Sequence, residues 1–164
     1  MLIMTKKIEL TQGKFALVSD HRFEYLNQWK WCAVYKRGKW RAMRKQWFPV
    51  IKTIYMHRVI MNVTDSQVLI DHWDGDSLNN QDENLRICTN TENLRNRGAQ
   101  KNNTSGYKGV HWNKDNKNWV AQIQVNRKII YLGSFANIND AAKAYNKAAE
   151  KYHGEFAQLN QVQS

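Results

Sequence analysis

Cysteine is nearly absent from this chain: Cys32 and Cys88 are the only two in 164 residues, and they form no Cys-x-x-Cys pair. A disulfide framework is therefore excluded, and reduced thiols in an intracellular protein are the simplest expectation. Long apolar runs are missing too. No stretch reaches the roughly 18 residues of a membrane span. The start, Met1 to Lys7, is too short an apolar block for a signal peptide and has its charge on the wrong side. There is one proline, no internal repeat and no low-complexity tract. Acidic residues are in short supply, 14 against 25 Lys and Arg, so the formal net charge is +11. Such an excess favours a polyanionic partner. Disorder is excluded by what is present: 42% hydrophobic residues, seven of them Trp, are enough for packed cores.

The charge is unevenly placed. Residues 1–64 hold 13 basic and 3 acidic residues, 65–100 hold 3 and 7, and 101–164 hold 9 and 4. A local acidic stretch between two basic blocks suits a metal-dependent nuclease, in which basic surface holds phosphates and a few oxygens hold a divalent cation. An acidic loop on an otherwise basic protein gives the same profile.

Patterning predicts strands at Lys14–Val18, Trp29–Lys36 and Lys39–Arg44, the last two joined by the tight pair Arg37-Gly38. A short helix is expected within Ser19–Gln28. A strand over Thr53–Arg58 should run into a short helix, His57–Met61. Gln67–His72 and Leu85–Cys88 read as strands around a polar loop, Trp73–Asn84, followed by a helix from Thr89 or Asn90 to about Arg97. Gly98–Thr104 reads as a linker. Beyond it, Gly106–Asn113, Asn118–Val125 and Lys128–Ser134 are three strand candidates, and Asn137–His153 carries alanines and tyrosines at helical spacing before Gly154. The fold class expected is α+β.

The segment 68–97 gathers Asp71, His72, Asn84 and Asn93. A carboxylate and an amide oxygen suit magnesium or manganese. An imidazole of near-neutral pKa can take a proton from water, and a second amide can fix its tautomer. Taken singly, Asp71 and Asn84 also read as turn residues and His72 as a strand end. His57 is open between a contact to the scissile phosphate and a supporting role. Trp29, Trp31, Trp40 and Trp47, interleaved with Lys and Arg, divide evenly between core and nucleic-acid contact. His21 and His153 lack partners at ligand spacing, and Cys88 reads as a buried inert thiol.

Asp71-His72-Trp73-Asp74-Gly75-Asp76, Asn79-Asn80, Asn84-Leu85-Arg86-Ile87, Thr89 and Asn93 together resemble the HNH motif of homing endonucleases, with Tyr55-Met56-His57-Arg58 resembling the segment before it. The resemblance covers roughly residues 6–97. It implies a ββα-metal (His-Me finger) unit that binds one Mg2+ or Mn2+ through Asp71 and Asn93. His72 would be the general base, Asn84 would orient it, and Arg58 would touch DNA. Asn93 stands where many members have His. The zinc-binding cysteines that flank some HNH domains are missing, so no structural zinc is implied.

Residues 105–160 are similar to the plant APETALA-two/ethylene-response-factor DNA-binding domain. The match runs through Ser105-Gly106-Tyr107-Lys108-Gly109-Val110, Trp119-Val120-Ala121-Gln122-Ile123, Leu132-Gly133-Ser134-Phe135, Ala141-Ala142, Tyr145 and Ala148-Ala149, and on to Leu159-Asn160. That family lays a three-stranded sheet in the major groove. Carried over by position, Lys108, His111, Asn113, Lys117, Gln122, Gln124 and Tyr131 would face DNA, with His111, Asn113 and Gln124 where arginines are common. A module binding by charge alone is the alternative.

The expected whole is a homing-type, site-specific DNA endonuclease. It has an HNH domain at 1–97, a linker at 98–104 and a DNA reader at 105–164. Its partner is double-stranded DNA, with a transient dimer on the DNA as a further expectation. No membrane and no small-molecule cofactor are implied. The setting implied is a mobile element or phage acting in a host cytoplasm, without secretion. Two rivals remain, a transcription-factor-like binder with a vestigial nuclease fold and a single-strand RNA binder.

Overall fold

The structure, a computed structural model, describes residues 4–100 and 102–162. The chain divides into two compact units, 1–90 and 91–164.

The first unit is built from small antiparallel sheets around one core. Strands β1 (Thr5–Glu9) and β2 (Phe15–Ser19) pair, with Ile8 opposite Ala16. Patterning does not predict β1, because Thr-Lys-Lys-Ile-Glu has a single apolar residue. Its pairing and the burial of Ile8 hold it. Helix α1 (Asp20–Leu26) follows. Strands β3 (Cys32–Lys36), β4 (Lys39–Gln46) and β5 (Lys52–Tyr55) form a meander in that order. The expected turn is present: Arg37 and Gly38 both have positive φ, 54° and 79°, as a two-residue hairpin of this twist requires. The predicted strand at Trp29 begins only at Cys32. Trp31 is instead drawn into the core, 1% exposed, and its indole N–H donates to the Leu26 carbonyl at 2.8 Å. Burying such a ring is worth about 1.5–3 kcal/mol. Helix α2 (Met56–Ile60) leads to β6 (Leu69–His72) and β7 (Leu85–Cys88), which pair as Asp71 opposite Arg86 and His72 opposite Leu85. Ala16, Val18, Leu26, Trp31, Ala42, Met56 and Leu85 belong to the shared core.

The second unit opens with most of α3 (Asn90–Arg95) and continues in β8 (Val110–Asn113), β9 (Asn118–Val125) and β10 (Lys128–Phe135). These strands form an antiparallel sheet with β9 in the centre. Helix α4 (Ile138–His153) packs on one face through Ala141, Ala142, Tyr145, Ala148 and Ala149, whose small side chains allow a close approach. Asn137 caps its start, accepting from the Asn139 N–H at 2.7 Å, and Gly154 ends it at φ +54°. Strand β8 starts later than its sequence suggests, because Ser105–Gly109 is tied into a turn. The Ser105 hydroxyl lies 2.8 Å from the Val110 carbonyl, and Gly109 holds φ +73°. A Cβ on Gly109 would lie 2.1 Å from the Tyr145 ring, so this position admits no side chain.

Candidate active site and candidate nucleic-acid interface

In the first unit, the β6–β7 pairing holds Asp71 and His72 as consecutive residues at the end of β6, 6% and 8% exposed. Asp71 Oδ2 accepts from Arg86 Nε at 3.2 Å and Nη2 at 2.9 Å across the strand pair. A guanidinium fork of this kind fixes the carboxylate's orientation.

The loop 73–84 encloses the site by hydrogen-bonding to itself. Asp74 Oδ1 accepts from Asn84 Nδ2 at 3.0 Å and from the Asp76 N–H at 2.8 Å, while Asp74 Oδ2 accepts from Asn79 Nδ2 at 2.7 Å. Asn84 Oδ1 accepts the Asp74 N–H at 3.0 Å, and Asn84 Nδ2 also donates to the Asn79 carbonyl at 2.7 Å. The loop is anchored outside itself too. The Leu17 N–H donates to Leu78 O at 2.9 Å, the Asn80 N–H donates to Leu17 O at 2.7 Å, and Ser77 Oγ donates to Trp40 O. Arg22 grips Asp82 at 2.7 Å. Burial pushes the Asp82 carboxyl upward, but Arg22 and Ser19 outweigh it and hold the group below its usual range.

The amide expected to orient His72 was Asn84. The structure gives Asn84 the task of closing the loop, and the amide interacting with the His72 ring is that of the fully buried Asn80. Burial lowers the His72 pKa; Asn80, Asp74 and Asp71 pull it up and Lys39 pushes it down. His57, on α2, meets His72 edge-on with ring centroids 5.4 Å apart and stacks on Tyr55 at 5.6 Å. Burial first, then His72, Arg58 and Arg41, push His57 down to about 3, so both rings are neutral at pH 7. Sequence reasoning had flagged His57 without seeing this stack. Arg58, expected on DNA, instead donates to the main-chain carbonyls of Val68, at 3.1 Å, and Asp65. It was a visible charge whose destination is the backbone. Trp47 is exposed, whereas Trp29 and Trp40 pack against the core.

Among the described residues no three His, Cys, Asp or Glu side chains converge into a metal cage. A buried carboxylate fixed by an arginine suits a hard cation that takes few protein oxygens and leaves the rest of its shell to water and phosphate.

In the second unit Asn93 lies half-buried on α3. The sheet face away from α4 brings together four of the predicted DNA contacts. His111 stands opposite Val120, Tyr131 opposite Gln122, and Gln124 opposite Ile129. The side-chain amides of Gln122 and Gln124 have no hydrogen-bond partner among the described residues, and Tyr131 OH meets Ser134 Oγ at 2.7 Å. Asn113 ends β8, and Lys117 lies in the β8–β9 turn. Asn113 Oδ1 accepts from the Asp115 and Asn116 N–H groups at 3.0 and 3.1 Å, and Lys117 is exposed. Lys108 departs from expectation. Its ammonium donates to the carbonyls of Arg95 and Arg97, each at 2.5 Å, and burial lowers its pKa to about 8. It serves the end of α3 rather than the open face. His153 is a buried residue whose Nε2 lies 3.1 Å from Gln124 O, while its Nδ1 has no hydrogen-bond partner among the described residues.

Comparison with known proteins matches this architecture. An AP2 domain is recognised at residues 105–155. An uncharacterized HNH endonuclease of Acanthamoeba polyphaga mimivirus is 29% identical over 159 residues, spanning 92% of this chain and 77% of that protein. Protein 3.8 of Escherichia phage T7 is 31% identical over 121 residues, 71% of this chain and 99% of that protein. The chain belongs to the family of this phage protein, and its AP2 domain and HNH-named relative match the expected HNH–AP2 architecture. The AP2 part of this HNH–AP2 protein is also similar to dehydration-responsive element-binding protein 2D of Arabidopsis thaliana, 40% identical over 76 residues, 43% of this chain and 35% of the plant protein. No solved structure matches. No helix among the described residues is long and apolar enough to cross a membrane.

Proposed function

We propose that this HNH–AP2 protein is a homing-type, site-specific DNA endonuclease: residues 1–97 cut and 105–164 choose the site on double-stranded DNA. The observation that carries the reading is the pair at the end of β6, a buried neutral histidine beside a buried carboxylate held by Arg86. The name of the mimiviral relative and the AP2 match support it.

Asp71, with Asn93 added by the HNH resemblance, would hold one Mg2+ or Mn2+ in a ββα-metal unit. When bound, such an ion neutralises charge building on the scissile phosphate. The chain does the rest. His72, kept neutral by burial, accepts the proton of the attacking water. Asn80 takes the ring's orientation in hand, and the edge-on His57 excludes water from its side. His111, Gln122, Gln124 and Tyr131 offer donors and acceptors to base edges, while exposed lysines such as Lys117 meet phosphates. The test is digestion of a supercoiled plasmid carrying the host locus, with magnesium and with chelator. Nicking or linearisation is expected with magnesium alone. Duplex binding with no cleavage under any metal would leave a DNA reader and overturn the nuclease.

A further inference from the structure

The meander β3–β4–β5 ends in a loop that the reading so far leaves unused. Beyond the last strand pair, Gln46 opposite Lys52, the chain runs Trp47-Phe48-Pro49-Val50-Ile51. Trp47, Phe48, Val50 and Ile51 are 70%, 86%, 67% and 61% exposed. Five consecutive apolar residues at an exposed tip are unusual in a monomeric surface and mark a contact site.

Two observations choose the partner. The tip is flanked by cations, and alternation along β4 places Lys39, Arg41 and Lys45 on one face of the meander, away from the side that buries Ala42. That face is continuous with the candidate active site: Met43 pairs with Tyr55, Tyr55 stacks on His57, and His57 meets His72. A cationic strand running from the reacting histidine to an apolar point matches a polyanion that carries stacked apolar surfaces inside it. Proteins that kink DNA insert such side chains between base steps.

We propose that the 47–51 tip is a DNA wedge, with Trp47 and Phe48 entering a base step of the duplex that lies along Lys39, Arg41 and Lys45. The inference rests on the DNA-binding reading above. From Tyr55 to the last strand pair is about 10 Å of strand. Adding the two ring contacts, the wedge falls roughly six base pairs from the cut at ~3.4 Å per step.

The test uses the full-length protein in EDTA and a duplex it selects from a random pool, with 2-aminopurine placed at successive positions. The wild type should brighten the probe several-fold at one or two adjacent positions. The double variant W47A/F48A should abolish that signal and weaken binding about tenfold, as expected for lost insertion. Its far-UV circular dichroism should match the wild type, because the loop lies outside the core. Lys117→Ala should weaken binding and leave the signal intact. Selection of no duplex overturns the DNA reading and the wedge with it. Tight binding with no bright position, or brightening that survives W47A/F48A, overturns the wedge alone. So does a tip that W47A/F48A shows to serve only anionic vesicles or self-association.

Discussion

The loop 73–84 and the open face of β8–β10 are both rich in amide side chains, and the two regions use them differently. In the loop, Asn79 and Asn84 bind Asp74 and the main chain, and Asn80 is buried against His72. On the sheet, Gln122 and Gln124 stand without partners among the described residues. An amide whose hydrogen bonds are made inside the protein fixes a geometry. One left to solvent keeps its donors and acceptors for an incoming surface. The proposed function puts catalysis in the first region and recognition in the second, and each proposal can be tested.

The largest effect should come from His72→Ala, lowering cleavage by about 10²–10⁴-fold, the usual worth of a positioned base, with duplex affinity in chelator unchanged. Single-turnover kinetics beside a binding titration decide it, and wild-type cleavage would reject the role. Asn84→Ala should come next. It leaves Asp74 short of a donor in a partly buried loop and should cost about 1–3 kcal/mol in a denaturant titration, with a parallel fall in rate. The sheet counterpart, Gln124→Ala, should cost about 1–3 kcal/mol at one base position and leave the unfolding midpoint alone. If Asn84→Ala proves as thermally neutral as Gln124→Ala, the contrast between the regions is wrong.

Proton linkage sharpens the same contrast. His57 has a folded-state pKa of about 3 against ~6.5 unfolded, so the unfolded chain binds its proton first. The stability this group contributes is therefore complete above ~6.5 and is lost as pH falls towards 3, by about 2 kcal/mol at pH 5. Denaturation at the two pH values should show this loss, and His57→Phe should flatten it. For catalysis, burial lowers the His72 pKa, so the rising limb of the single-turnover rate should lie below the ordinary histidine value near ~6.5. A limb unchanged in His72→Ala would point to another base. The smallest effect expected is for Lys117→Ala, which should reduce the salt dependence of binding by about 0.9 in the log–log slope.

Strands with strict patterns were legible in the sequence: β7 and β9 have the bounds their alternation and turn residues predict, and α4 follows its alanines from the Asn137 cap to Gly154. The pair Asp71-His72 was legible as a motif. The identity of the supporting amide was not, because three asparagines lie within six residues and the loop's path decides which one meets the ring. Arg58 and Lys108 misled for a related reason. A sequence shows a charge but not whether it will meet phosphate or a peptide carbonyl, and in both cases the carbonyls of a nearby segment won.

The ammonium of Lys108 has one more implication, for anyone who would graft a different reader onto this protein. It seats itself on the carbonyl of Arg95, which ends α3, and on that of Arg97 just beyond, where a positive charge is worth about 0.3–1 kcal/mol, or up to ~2 when partly buried. The polar stretch 98–104 offers a seam for an exchange, yet a chimera joined there keeps α3 and discards the residue that finishes it. A donor module lacking a lysine at the matching position would inherit a frayed helix. The durable chimera keeps α3, and Asn93 on it, with the nuclease part and supplies a lysine at the position of Lys108.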